Sequence, residues 1–429
     1  MIVTNARVLT FDAGNRVLDS GEVEILPGGV FGDVRETAGG KPSGEVVDAH
    51  GRLMMPALIN CHTHLYSAFA RGMPPVDPSP GNFKAILRKV WWKLDRTLNR
   101  EDIYYSALVA LIDSARNGVG MLADHHSSPN ACKGSLDIVE RAFREVGLRG
   151  ALCYETSHRD GPEKAAEGYV ENLRFIQRVR AQSDGTIGAS FGVHAAFTVT
   201  DDVIRSCVEE AQAQEAGIHI HVAEDRCDAG AVTRLAKFGA LNERTVAAHC
   251  VHVTAAEMNL LARHGVNVVH NPQSNCHNAV GAARLADLAR RKVLVGLGSD
   301  GYTPRMWEEL KAAVNVQRLA SGSPRAGWAE AYAALLNNRV IARKAWGMEI
   351  GRIERGAAAD FILVDYYPPT PLTAENIMGH LLFGIANAPI DALVVNGRYV
   401  VRGKRCVTVD QRKIAEKAAA QARALWSRL

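Results

Sequence analysis

The sequence predicts an α/β fold, a (β/α)8 barrel with a small β domain built from both chain ends. Two observations predict it. From Pro56 onward short apolar runs alternate with longer amphipathic stretches, and the two chain ends share a strand-and-turn texture that the middle lacks. Apolar runs separated by helical periodicity are the pattern of repeated βα units around a parallel sheet.

Eight such runs occur, at residues 57–60, 119–123, 149–153, 187–193, 218–222, 246–249, 266–269 and 293–297. Helical patterns separate them, as at 135–146, 163–180, 201–213 and 255–263. Eight βα units suit a (β/α)8 barrel. A doubly wound sheet has the same rhythm and stays open on the pattern alone. An extra helical segment, 83–96, falls between the first two units, where a lid or side wall would lie. At the amino end 2–9, 21–25 and 44–49 are candidate strands. Beyond helix 328–345 come 360–364, 392–396 and 398–401, with Asn396-Gly397 as a hairpin turn. The expected boundaries are therefore 1–55 and 351–408 for the small domain, 56–350 for the barrel and 409–429 for a terminal helix.

Composition narrows the function classes. Hydrophobic residues make up 47% and charged residues 22%, the balance of a globular enzyme. A net charge of +4, no Lys/Arg run and an aromatic fraction of 6% give nucleic-acid binding no support. The amino terminus has no basic head followed by an apolar stretch. No apolar segment approaches the roughly 20 residues that cross a bilayer, so neither a leader nor a membrane span is expected. The eight cysteines are scattered without a CxxC. Reduced thiols and a cytoplasmic location follow as the expectation.

The chemistry-bearing residues fall at strand ends. Asn60-Cys61-His62-Thr63-His64 closes the first run. Residues two apart on a strand point the same way, so both imidazoles face one side and form half of a metal site. An HxH pair alone occurs by chance. Here, however, His219-Ile220-His221-Val222-Ala223-Glu224 closes the fifth run, Ala248-His249-Cys250 the sixth and Gly298-Ser299-Asp300-Gly301 the eighth. In a barrel these positions meet at one rim, where active sites sit. Packing alone does not explain four polar clusters at four strand ends.

The elements PALINCHTH, FGVHAAFT, HIHVAED, AHCVH, HNPQSN and GLGSDG resemble the amidohydrolase superfamily, in the cytosine deaminase-like group with guanine deaminase and triazine hydrolases. KVWWKLDRTLNREDIYYSALVALIDSARNGV, DHHSSPNA and CYETSHRDG look like the SsnA-type aminohydrolases. The resemblance covers nearly the whole chain, in the family's order. It implies a (β/α)8 TIM barrel with a β-sandwich from both chain ends. It implies His62, His64, His221 and Asp300 as metal ligands, Glu224 as the proton-shuttling acid and His249 as the histidine that holds the attacking water. Two-metal relatives carry a carboxylated lysine at the end of the fourth strand. Here that strand ends Gly192-Val193-His194, so one metal is implied, with His194 against the substrate.

Three histidines and a carboxylate suit Zn²⁺, and Fe²⁺ is accepted by the same donors. The implied reaction is hydrolytic deamination of an amino-substituted purine, pterin or similar small N-heterocycle by a metal-bound hydroxide. Its rivals are ring opening of a cyclic amide or ureide, or dechlorination, on the same site. A rival of another class is a metabolite-binding barrel without catalysis. Similar enzymes often form dimers, and a homodimer is the corresponding expectation.

Other residues take lesser roles. His125, at the end of the second run, and His270, at the end of the seventh, are candidate substrate contacts. His219 reads as support behind the ligands. His126 shares the loop position of His125, and His277 reads as a solvated loop residue. Tyr66, Arg71 and Met73 are candidate pocket walls. Trp91 and Trp92, adjacent on a helix, are not expected to face the pocket together. His50, His158, His252, His264 and His380 read as structural or surface residues.

Overall fold

The computed structural model describes residues 1–37, 44–75, 78–182 and 184–429. Alternation of buried and open positions makes Ile2–Leu9 and Val17–Leu26 an antiparallel pair with one face on a core. Nine strands from both chain ends form one mixed sheet, joined where Leu53–Pro56 pairs antiparallel with Phe361–Val364. Val30–Glu36 and Leu53–Pro56 are members that the sequence pattern did not single out. The sheet folds back on itself. Phe31 lies four strands from Phe361 in sheet order, yet the ring centroids are 6.2 Å apart and Val30 bridges to Ala358.

After Ala57 the texture changes to parallel strands. Leu58–Thr63, Val119–His126, Arg149–Tyr154 and Ile187–Ala189 form one parallel sheet. Phe191–Ala195, Ile218–Val222, Val246–His249, Asn267–His270 and Leu294–Leu297 form another. The fourth expected run is thus divided at Ser190, one part in each sheet. Two parallel bridges join the sheets, Thr63 to Asp300 and, just past Arg149–Tyr154, Thr156 to Val193. Helices return each strand to the next, as Ser135–Val146 and Asp201–Ala213 do with their apolar faces inward. Ala255–Arg263 starts in a capping box, with Thr254 and Glu257 satisfying each other's backbone N–H groups.

A buried ion pair bolts the two parts together. Arg149, on a parallel strand, meets Asp360 of the small sheet at 2.5 and 3.2 Å, with side chains 6% and 3% exposed. Terminal helix Gln411–Trp426 packs against Arg100–Arg116, and Gln421 donates to the Asp102 carboxylate at 2.8 Å. Among the described residues no helix is long and apolar enough to cross a membrane.

Candidate metal centre and active site

The strand ends converge on one cavity. Ligand atoms of His62, His64, His221 and Asp300 all lie within 4.8 Å of one another. His62 and His64 share a face because they are two residues apart. His221 comes from the neighbouring sheet, and Asp300 follows Leu294–Leu297. Gly298 permits the approach: a Cβ there would lie 2.5 Å from Asn271 Oδ1 and 2.9 Å from the His62 carbonyl.

Hydrogen bonds set the tautomers. His64 Nδ1 donates to the His125 carbonyl at 2.6 Å, and His221 Nδ1 donates to the His194 carbonyl at 2.7 Å. A carbonyl only accepts, so both Nδ1 atoms carry hydrogen and each Nε2 is left for another partner. The two Nε2 atoms face each other at 3.1 Å. His62 Nδ1 pairs with His219 Nε2 at 2.9 Å, which makes His219 a support behind the cluster, while the buried His62 Nε2 has no partner. Burial holds His62 and His221 well below the ordinary imidazole range. Burial also pushes His64 down, but the Asp300 carboxylate 3.0 Å away outweighs it and raises His64 to about 9. In return Asp300, pushed up by burial, is pulled well below its usual range by the His64 charge.

Beside this cluster lie Glu224 and His249. His249 Nε2 is buried without a partner, 3.6 Å from Glu224 Oε2 and 3.7 Å from Asp300 Oδ2. Burial raises Glu224, with His249 lowering it and Asp300 adding to the rise. Ala223, His249, Cys250 and Asp300 all have left-handed backbones, with φ of 46°, 73°, 50° and 54°. Such conformations are uncommon for these residue types, and here they cluster where the chain turns functional groups inward.

One short helix supports three of these groups, and the sequence reading missed it. Pro272–His277 and the residue after it present Ser274, Asn275 and Asn278. Asn275 Oδ1 accepts from His249 Nδ1 at 2.8 Å, Asn278 Nδ2 donates to Glu224 Oε1 at 3.1 Å, and the Ser274 hydroxyl donates to Asp300 Oδ2. The available signal was the spacing of Ser274 and Asn275, inside HNPQSN, to Asn278 one helical turn further on. A second missed group is Glu155, just past the end of Arg149–Tyr154. Its Oε1 lies 3.1 Å from His125 Nδ1 and 3.3 Å from His64 Nδ1. Burial pushes Glu155 up, but His194, His125 and His64 together hold it well below the carboxylate range.

The cavity spans ≈ 760 Å³, open solvent at its mouth included, and His64, His194, His221, Glu224 and Asp300 line it. His194 Nδ1 bonds Thr198 Oγ1 at 2.9 Å, and that hydroxyl donates onward to the Ala195 carbonyl. Nδ1 therefore carries the hydrogen and Nε2 is an acceptor. Burial lowers the ring to about 3, so it is neutral at pH 7.

Several expectations are corrected. His125 does not line the cavity. It is fully buried, with Nδ1 on Glu155 and Nε2 on the His219 carbonyl, so no face remains for substrate. His270 is likewise fully buried and outside the lining. His126 is buried on Ser128. Trp91 and Trp92 both line the cavity, since Leu87–Trp91 is a π-helical turn and the wall wraps around it. His277 is exposed but sits at the rim against Tyr302, with ring centroids 5.0 Å apart. Tyr66 lines the cavity, Arg71 a neighbouring one, and Met73 neither.

The chain is similar to known proteins in sequence and in fold. The sequence model of the Amidohydrolase family matches residues 53–400. A 5-methylthioadenosine/S-adenosylhomocysteine deaminase of Desulforudis audaxviator is 30% identical over 99% of both chains. A 5'-deoxyadenosine deaminase of Methanosarcina mazei is 29% identical, covering 100% of this chain and 99% of its own. Among solved structures, an adenosine deaminase from Xanthomonas campestris with bound zinc superimposes with a TM-score of 0.87. It is 21% identical, over 100% of this chain and 98% of that one.

Proposed function

Starting from the fact that this chain belongs to the amidohydrolase family, we propose that it hydrolytically deaminates an adenosine-type nucleoside or a similar amino-substituted purine. The observation that carries the reading is the set of imidazole Nε2 atoms, two of them with tautomers fixed by carbonyls, facing one carboxylate beside Glu224 and His249. Two relatives that match nearly the whole chain are named as adenosine-type deaminases, which supports a purine-like substrate. The two parallel sheets, joined by the two bridges, read as one closed (β/α)8 barrel. We divide the chain as 1–55 and 351–408 in the small β-sandwich domain, 56–350 in the barrel and 409–429 in the terminal helix. All eight cysteines are free, which favours the cytoplasm.

His62, His64, His221 and Asp300 fit a divalent ion. The buried, unpartnered His62 Nε2 and the facing Nε2 atoms of His64 and His221 are a donor set that needs a cation. Zn²⁺, or Fe²⁺, bound there supplies Lewis acidity that brings a water's pKa toward about 7. His249 Nε2 and Asp300 Oδ2, 3.7 Å apart, accept from the attacking water and aim it at the amino-bearing carbon. Glu224, whose carboxyl burial pushes up, is the acid placed to pass a proton to the neighbouring ring nitrogen. The water oxygen bonds to that carbon and its first proton passes through Asp300 to the amino group, which leaves as ammonia when the C–N bond breaks; the remaining hydroxyl proton returns to Glu224 as the carbon becomes a carbonyl. His194 Nε2 accepts from a hydroxyl or N–H of the substrate. The test is ammonia release by the metal-loaded enzyme from a panel of adenosine-type nucleosides. Product without ammonia points to ring opening or another leaving group and rejects deamination.

A further inference from the structure

Arg159 borders the active cavity, yet the chemistry described above gives it no part. Its side chain is only 4% exposed, and each of its nitrogens meets a group of this chain. Nη2 donates to the Asp95 carboxylate and, at 2.6 Å, to the Ser127 hydroxyl oxygen. Nε lies 3.3 Å from Asp160 and Nη1 lies 3.7 Å from Glu155. The flat guanidinium also sits over the Trp92 ring, 5.4 Å from its centroid.

These partners come from the two sides of one seam. Asp95 and Trp92 belong to a helical wall made of Phe83–Ile86, Leu87–Trp91 and Trp92–Thr97, whose Phe83, Leu87, Trp91 and Trp92 line the cavity. Ser127 and Glu155 directly follow Val119–His126 and Arg149–Tyr154 of the parallel sheet. Asp95 is wholly buried in the seam, and its Oδ2 also accepts from the Ser127 hydroxyl at 3.1 Å. Arg96, outside the cavity lining, adds a pair with Asp160, and its carbonyl accepts from Asn130 Nδ2 at 2.8 Å. On the cavity side the Trp92 ring stands edge-on to His194, with centroids 6.0 Å apart.

An arginine suits this place for two reasons. Its rigid fork serves acceptors on both sides of the seam, and its plane stacks on an indole; an ammonium does neither. We infer that Arg159 is a positioning residue for substrate binding: it fixes Trp92, and with it the apolar wall beside His194, against the bound heterocycle. The inference rests on the deaminase reading and adds to it a residue outside the metal ligands and the groups that handle protons. A wall touches the heterocycle alike before and during reaction, so loosening it raises KM and leaves kcat in place.

The test is a double-mutant cycle on the metal-loaded enzyme, with kcat and KM for adenosine taken from ammonia release. Arg159→Lys keeps a charge beside buried Asp95 but loses the fork and the flat face. Its KM should rise about 10-fold, with kcat within about twofold and metal content unchanged. Should that variant not fold, Ser127→Ala, which removes the sheet-side acceptor of Nη2, takes its place and is read the same way. Trp92→Leu should raise KM by itself, and Arg159→Lys added to it should change KM by less than about twofold, because the guanidinium acts through the ring. A KM at the parent value in Arg159→Lys overturns the inference, and so do two effects that simply multiply. No ammonia from adenosine or 5'-deoxyadenosine with the parent enzyme rejects the deaminase reading instead. The role of Arg159 is then decided by hydrogen exchange: amides of 83–97 should exchange about 10-fold faster in Arg159→Lys while those of 218–222 keep their rate. Unchanged exchange at 83–97 overturns it.

Discussion

Removing the acceptor that faces His249 tests the active-site geometry most directly. Asn275 Oδ1 accepts from His249 Nδ1 at 2.8 Å, and both residues are buried. In Asn275→Ala the Nδ1–H has no acceptor, which costs about 1–3 kcal/mol of stability for a buried donor. The loss should fall near the low end, about 1 kcal/mol, because Asn275 Nδ2 is itself buried without a partner and disappears with the mutation. Activity should suffer more. The imidazole is free to rotate or to exchange its tautomer, and Nε2 no longer stays aimed between Glu224 and Asp300. Supports of this kind are worth about 10–100-fold, or about 1.4–2.7 kcal/mol of barrier. The assay is kcat/KM from ammonia release, with metal content measured on the same sample. Metal should be retained, since His249 is outside the four-ligand set. Asn275→Asp keeps an acceptor and should recover much of the loss. An alanine variant within about twofold of the parent would refute the role given to this hydrogen bond.

Three further outcomes follow from the same geometry. Glu224→Gln keeps size and the Asn278 contact but holds no transferable proton; turnover should fall about 10²–10⁴-fold with metal content unchanged, and surviving activity would remove Glu224 from the mechanism. Gly298→Ala puts a Cβ 2.5 Å from Asn271 Oδ1 and 2.8 Å from Val269 Cγ1, so about 1–3 kcal/mol of stability should be lost with a weaker grip on metal, read by thermal melting and chelator competition. Arg149→Met leaves Asp360 buried and unpaired, for a loss of about 3–5 kcal/mol in denaturant titrations. The double variant Arg149→Met/Asp360→Asn should lose less; an equal or larger loss would mean that the pair's charge is not what holds the two parts together.

The sequence by itself determined the elements and the direction of their side chains. Strand alternation put His62 and His64 on one face, and the chain's own spacing placed His221, Glu224, His249 and Asp300 at strand ends. Those are local properties, set by a period of two along a strand and by where apolar runs stop. Depth and partnership were decided only by the tertiary structure. His125 and His270 satisfy the same strand-end rule as His221, yet packing across neighbouring strands seals them away from the cavity. The tautomers of His64 and His221 come from carbonyls 61 and 27 residues away in sequence, and the acceptor for His249 lies 26 residues downstream. No strand-end or helical pattern marks Glu155, Arg159 and Asp95; burial in the folded chain joins them into one network. A hydrogen bond depends on two atoms meeting at about 3 Å, and a linear pattern fixes which way each points but not whether they meet.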